Sequence, residues 1–150
     1  MAEAAGVCLD DQGHAPGCLL TVEGCRDCHL ALFFCSVDAT RRATWNDQEE
    51  ATEQGAYGVA LLLLHEIEGQ TVITRSRKGT GFDYWVGKNE GALFQQKARL
   101  EVSGIRHGGS AIVERRVRQK TQQAGPGRGG IQTYVAIIEY SAPLARVVEP

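Results

Sequence analysis

The chain has 150 residues, of which 43% are hydrophobic and 23% charged, with 18 glycines and 4 prolines. That length supports one domain with one core, and the composition excludes disordered, collagenous and coiled-coil chains. The longest apolar run, 59–64, is too short to span a bilayer, and no basic segment precedes an apolar stretch at the N-terminus. A soluble, cytoplasmic protein with no membrane association is expected.

The net charge of −2 conceals an asymmetry: residues 1–60 hold ten acids and three bases, whereas the remaining ninety hold thirteen bases and eight acids. A neutral chain that is basic in one half can present a patch to phosphate.

Residues 1–17, with Gly6, Gly13, Pro16 and Gly17, read as a flexible leader. All five cysteines (Cys8, Cys18, Cys25, Cys28 and Cys35) fall within the first 35 residues. An odd count without an export signal argues against a disulfide framework. Cys25-Arg-Asp-Cys28-His29 matches the haem c attachment string, and Cys25, Cys28, Cys35 and His29 are of types that suit zinc. Residues 28–35, however, form an apolar run expected to be a buried strand, where free cysteine is common. Residues 18–24 and 29–36 read as a hairpin turning at 24–27.

A helix follows, with Thr44 or Asn46 as its N-cap, acids in its first turn and Gly69 at its end. Ala56, Val59, Ala60, Leu63 and Ile67 recur at helical spacing and define its buried stripe. Three strands are expected at 71–75, 81–87 and 98–105, with a long gap at 87–96 before the last. A second helix over 110–123, a glycine-rich loop at 124–130 and a final strand over 131–140, stopped by Pro143, complete the chain. The core order is α-β-β-β-α-β, an α/β fold, behind an N-terminal hairpin. This gives a leader at 1–17 and one domain at 18–150, divided into a hairpin extension at 18–44 and a core at 45–143.

Three acids occupy positions where acids are costly. Glu53 shares the stripe of the first helix, Asp83 lies opposite Phe82 and Tyr84 in its strand, and Glu101 and Ser103 share one strand face. A buried carboxylate needs a partner, a proton or a metal. If the second and third strands are neighbours, Asp83 and Glu101 lie side by side. A divalent cation between them, with the carbonyl of Val102 as a further ligand, would remove their repulsion. A surface position on an edge strand, or salt bridges to Arg75, Arg99 or Lys97, is the structural alternative.

A helix with Glu53, then Gly81-Phe82-Asp83, then Ala98-Arg-Leu-Glu101-Val-Ser-Gly104, then a helix and a strand resembles the PD-(D/E)XK, or restriction-endonuclease-like, nuclease superfamily. The likeness covers 53–140 and is closest to an uncharacterised bacterial branch. It implies Asp83 and Glu101 as ligands of Mg²⁺ or Mn²⁺, with Glu53 supporting them. The family places a lysine two residues after the second acid, where this chain has Ser103. Some members carry that base on the following helix, where Lys120 is the only lysine, with Arg116 and Gln119 nearby. The implied catalytic set is therefore Glu53, Asp83, Glu101, Ser103 and Lys120.

Arg75, Arg77, Lys78, Arg106 and Arg116 are expected to surround this centre along the path of a nucleic-acid backbone. Two functions are expected: a divalent-metal phosphodiesterase cutting DNA or RNA, or a catalytically inactive nuclease-fold module serving nucleic-acid binding or assembly. No reader domain is fused, so a homodimer or companion subunit is expected, in a phage-defence or mobile-element context.

Overall fold

The computed structural model describes residues 1–88, 98–125 and 130–150. Most of the 87–96 gap, the alternative partner Lys97 and the centre of the 124–130 loop lie outside the described residues. The chain is mixed α/β: among the described residues four helices flank a seven-stranded sheet. In chain order the elements are α1 (Ala2–Asp11), β1 (Cys18–Gly24), β2 (Cys28–Leu32), α2 (Ala39–Thr44), α3 (Gln48–Glu68), β3 (Thr71–Arg75), β4 (Tyr84–Gly87), β5 (Ala98–Ile105), α4 (Ser110–Ala124), β6 (Gln132–Glu139) and β7 (Leu144–Val148). Among the described residues no helix is long and apolar enough to cross a membrane.

The sheet runs β2-β1-β7-β6-β5-β4-β3. Strands β3, β4 and β5 form an antiparallel meander, and β5 pairs in parallel with β6. β7 lies antiparallel to β6 and parallel to β1. Alternate side chains of the strands therefore feed two cores. Leu20, Val22, Val86, Leu100, Val102, Ala136 and Ile138 meet α1 and α3, whereas Ile105, Val135 and Ile137 meet α4 through Val113 and Ala124.

Four local expectations are corrected. Residues 1–17 are not a loose leader: most of the segment is α1, whose Ala4, Ala5, Val7, Cys8 and Leu9 are buried. Gly6, which reads as a break, instead lets the helix approach Phe34. The facing glycine on α3 is Gly55, where an added Cβ would lie 2.6 Å from Tyr140 Oη and 2.8 Å from Ala5 N. The two helices thus meet almost backbone to backbone.

The apolar run 28–35 is not a buried strand. β2 is the sheet edge, ends at Leu32, and leaves Phe33 76% exposed and Cys35 at the surface. The chain after Pro143 adds β7, which joins the hairpin to the rest of the sheet, so the hairpin is not an appendage.

The N-cap of α3 is Asp47, whose Oδ1 accepts from Glu49 N at 2.9 Å and Glu50 N at 3.0 Å. Thr44 belongs to the short helix α2, which Asp38 caps. The C-terminal stop is as expected: Gly69 adopts φ 65° and its N–H closes back on His65 O.

Candidate functional site

The site arises where β4 and β5 part. β4 begins at Tyr84, opposite Leu100, but β5 continues to Ile105, so the ladder between them stops at that point. The next N–H of β5 on that edge is Val102's. In place of a strand carbonyl it donates to the side chain of Asp83, with Oδ2 at 2.8 Å. Asp83 itself lies just outside the strand, held by its own N–H to Leu100 O at 2.8 Å. In an extended strand the Val102 carbonyl faces the same edge as its N–H.

Held between Leu100 O and Val102 N, Asp83 lies beside Glu101, which is only 2% exposed. Burial raises the Glu101 carboxyl most, Lys120 pulls it back, and the Asp83 charge raises it further, leaving it at about 7. From α4, Lys120 Nζ donates to Glu101 Oε1 at 2.6 Å, and one turn earlier Arg116 NH1 donates to Ser103 Oγ at 2.6 Å. An ammonium from the neighbouring helix thus stands beside the buried acid of β5.

From the other face, α3 approaches β5 closely at Gly104, where an added Cβ would lie 2.5 Å from Thr52 O. Glu53 therefore reaches the site, but from the flank of the helix. It is exposed and does not belong to the buried stripe, which contains Gly55, Ala56, Tyr57, Val59 and Ala60 instead. Tyr57, which is absent from the expected stripe, lies one turn along and is buried. Its hydroxyl sits 2.8 Å from Glu53 Oε1 and 3.0 Å from Asp83 Oδ1. Burial and these two carboxylates push the Tyr57 phenol strongly upward, so it stays a donor. Its four-residue spacing from Glu53 was the available signal.

Glu53, Tyr57, Asp83, Glu101, Ser103, Arg116 and Lys120 line one cleft of about 710 Å³. A second hollow shares Glu53, Tyr57, Asp83 and Glu101 and extends under the β3–β4 turn, where Arg75, Arg77 and Lys78 line it. All three of these bases are exposed. The Arg75 guanidinium stands 5.9 Å from the ring centroids of both Tyr57 and Tyr84.

Arg106 lines the cleft but serves packing. It pairs with Asp11 and donates to Cys8 Sγ and Thr52 Oγ1, both at 3.4 Å, tying α1 and α3 to the end of β5. The sequence reading also passed over Glu139, a buried acid of β6. It accepts from the N–H groups of Gly108, Ser141 and Ala142 and from the Ser141 hydroxyl, and so fixes two loops. Its signal was a single charge inside the apolar run 134–140.

Among the described residues no three His, Cys, Asp or Glu side chains form a cation cage, either at this cleft or around the cysteines. Mg²⁺ seldom uses such a cage. It is held by one or two carboxylates and keeps several waters. The donor chemistry fits that pattern: Asp83 and Glu101 face each other beside the Val102 carbonyl, and each carboxylate oxygen that already accepts one hydrogen bond retains a second lone pair. No family model, curated protein or solved structure matches this chain.

Proposed function

We propose that this chain is a divalent-metal-dependent phosphodiesterase, a nuclease acting on DNA or RNA, with α3-β3-β4-β5-α4-β6 as a restriction-endonuclease-like core. The observation that carries this reading is the approach of Lys120 Nζ to within 2.6 Å of Glu101 Oε1, in the cleft that also holds Asp83. Paired acids with one nearby ammonium form the charge pattern of metal-assisted phosphoryl chemistry.

Asp83, Glu101 and the Val102 carbonyl would hold Mg²⁺ or Mn²⁺. When bound there, the cation would polarise the scissile phosphate and acidify a coordinated water. Lys120 uses one of its three donors on Glu101 and has two left to orient water and to offset charge on a phosphate oxygen. Arg116 keeps the Ser103 hydroxyl turned toward α4, so that hydroxyl is not a free base. Arg75, Arg77 and Lys78 extend the positive surface along the second hollow, where a sugar–phosphate backbone would be held without base readout. The exposed Phe33 and Leu19 on the edge hairpin support a second copy or companion subunit that completes target choice.

A second reading, an inactive nucleic-acid-binding or assembly module, is favoured by one observation. Asp83 also closes the end of a strand ladder, a role that needs no chemistry.

The deciding experiment is cleavage of labelled single- and double-stranded DNA and RNA with Mg²⁺ or Mn²⁺, beside Asp83→Ala and Glu101→Ala. Cutting by the wild type that both variants lose is the expected result. Binding without cutting in all three proteins would favour the module.

A further inference from the structure

We propose that Tyr57 is a positioning residue for the divalent cation of this cleft, its hydroxyl acting as the hinge between Glu53 and Asp83; the inference rests on the reading of Asp83 and Glu101 as cation ligands. The hydroxyl lies within hydrogen-bond distance of both carboxylates, at 2.8 Å and 3.0 Å, yet it carries one proton. It donates to only one of them at a time, and the other then faces it lone pair to lone pair. A cation on Asp83 ends that competition. Asp83 turns its charge to the metal, and the Tyr57 proton goes wholly to Glu53.

The ring cannot drift out of this arrangement. It is 4% exposed and meets Tyr84 edge-on, with centroids 5.4 Å apart and planes at 79°. Tyr84 is the residue next to Asp83 and begins β4, so one rigid aromatic pair sets the distance between the helix acid and the strand acid. Glu53, by contrast, is exposed on a flexible side chain, and Tyr57 is what aims it into the cleft. Groups that orient a carboxylate beside a metal in this way typically change metal affinity ten- to a hundredfold when removed.

The test is calorimetric titration of the full chain with Mn²⁺ alone, for the wild type, Tyr57→Phe, Glu53→Gln and the double variant, with melting in chelator as the check on folding. Tyr57→Phe is expected to weaken Mn²⁺ binding about tenfold with little change in metal-free melting. The double variant should be no weaker than the worse single one, because both changes break the same unit. Saturating Mn²⁺ should also perturb the tyrosine near-ultraviolet absorbance of the wild type, a signal that requires no variant to fold and that Tyr57→Phe should abolish. Equal Mn²⁺ affinity in Tyr57→Phe, additive losses in the double variant, or no tyrosine signal on saturation would each overturn the proposal. Failure of the wild type to bind Mn²⁺ would instead remove the cation reading on which it rests.

Discussion

Lys120 and Glu101 stand nineteen residues apart in the chain, one on α4 and one on β5, and meet at 2.6 Å in a site where Glu101 is almost wholly buried. The lysine side chain keeps 20% of its surface exposed, so it spans the distance from solvent to the buried acid. A carboxylate in that position without its ammonium would be a buried unpaired charge beside Asp83.

Replacing Lys120 should therefore separate chemistry from metal binding. Lys120→Gln is expected to lower cleavage about a hundredfold or more, the usual range for losing a positioned proton donor. Mn²⁺ affinity should hold or rise, because a competing cation leaves Glu101. Placing the ammonium on the strand instead, in a Lys120→Ser, Ser103→Lys double variant, should recover part of the activity. Cleavage rates and calorimetry on the same samples check both halves.

Glu101 also predicts a pH dependence. In chelator, its carboxyl titrates at about 7 in the folded chain against an ordinary value of 4.5. Between those values the native state binds the extra proton, so stability is full below the lower one and falls as pH rises through the upper one. Asp83 and Lys120 are the charged groups facing it. The wild-type melting temperature should climb as pH drops from about 8 to about 5, apart from the ordinary titration of exposed groups. Glu101→Gln should flatten that rise, and melting curves across the range measure it.

The surrounding bases divide into two kinds. Arg75, Arg77 and Lys78 line the second hollow and are exposed, so each alanine change should weaken nucleic-acid binding and reduce the salt slope by about one. Arg106 holds Asp11, Cys8 and Thr52 in place. Arg106→Ala should lower the melting temperature and leave the salt slope unchanged, as titrations at several salt concentrations would register.

Glu139 should matter for folding alone. Its carboxylate accepts three backbone N–H groups and one hydroxyl while buried. Glu139→Ala strands those donors and is expected to cost about 3 kcal/mol, measured by denaturant unfolding. The residual folded protein should bind Mn²⁺ normally.

The nearness of the strand acids was legible because period-two alternation places Glu101 with Ser103 and because the strands carrying Asp83 and Glu101 are sequence neighbours that pair. The end of the ladder was not legible, since it depends on where β4 stops relative to β5, and strand ends carry no signature at that precision. Helix α1 was hidden by its glycine, which reads as a break in one dimension and is a packing contact with Phe34 in three. Tyr57 was hidden because a buried aromatic on a helix stripe has the same pattern whether or not its hydroxyl has work to do.

The placement of β7 has a consequence for how this chain is made. β1 pairs in register Thr21 to Leu144, so the β1–β2 hairpin cannot join the rest of the sheet until β7 is synthesised. At that seam Gly24, at φ 112°, lets the Val147 carbonyl come close: an added Cβ would lie 1.9 Å from it. Contacts of such long sequence separation form slowly, and until they close the apolar underside of β1 stays open to solvent. The cleft on α3 and β5 can assemble before that closure, so the seam between β1 and β7 governs aggregation during synthesis more than it governs the chemistry.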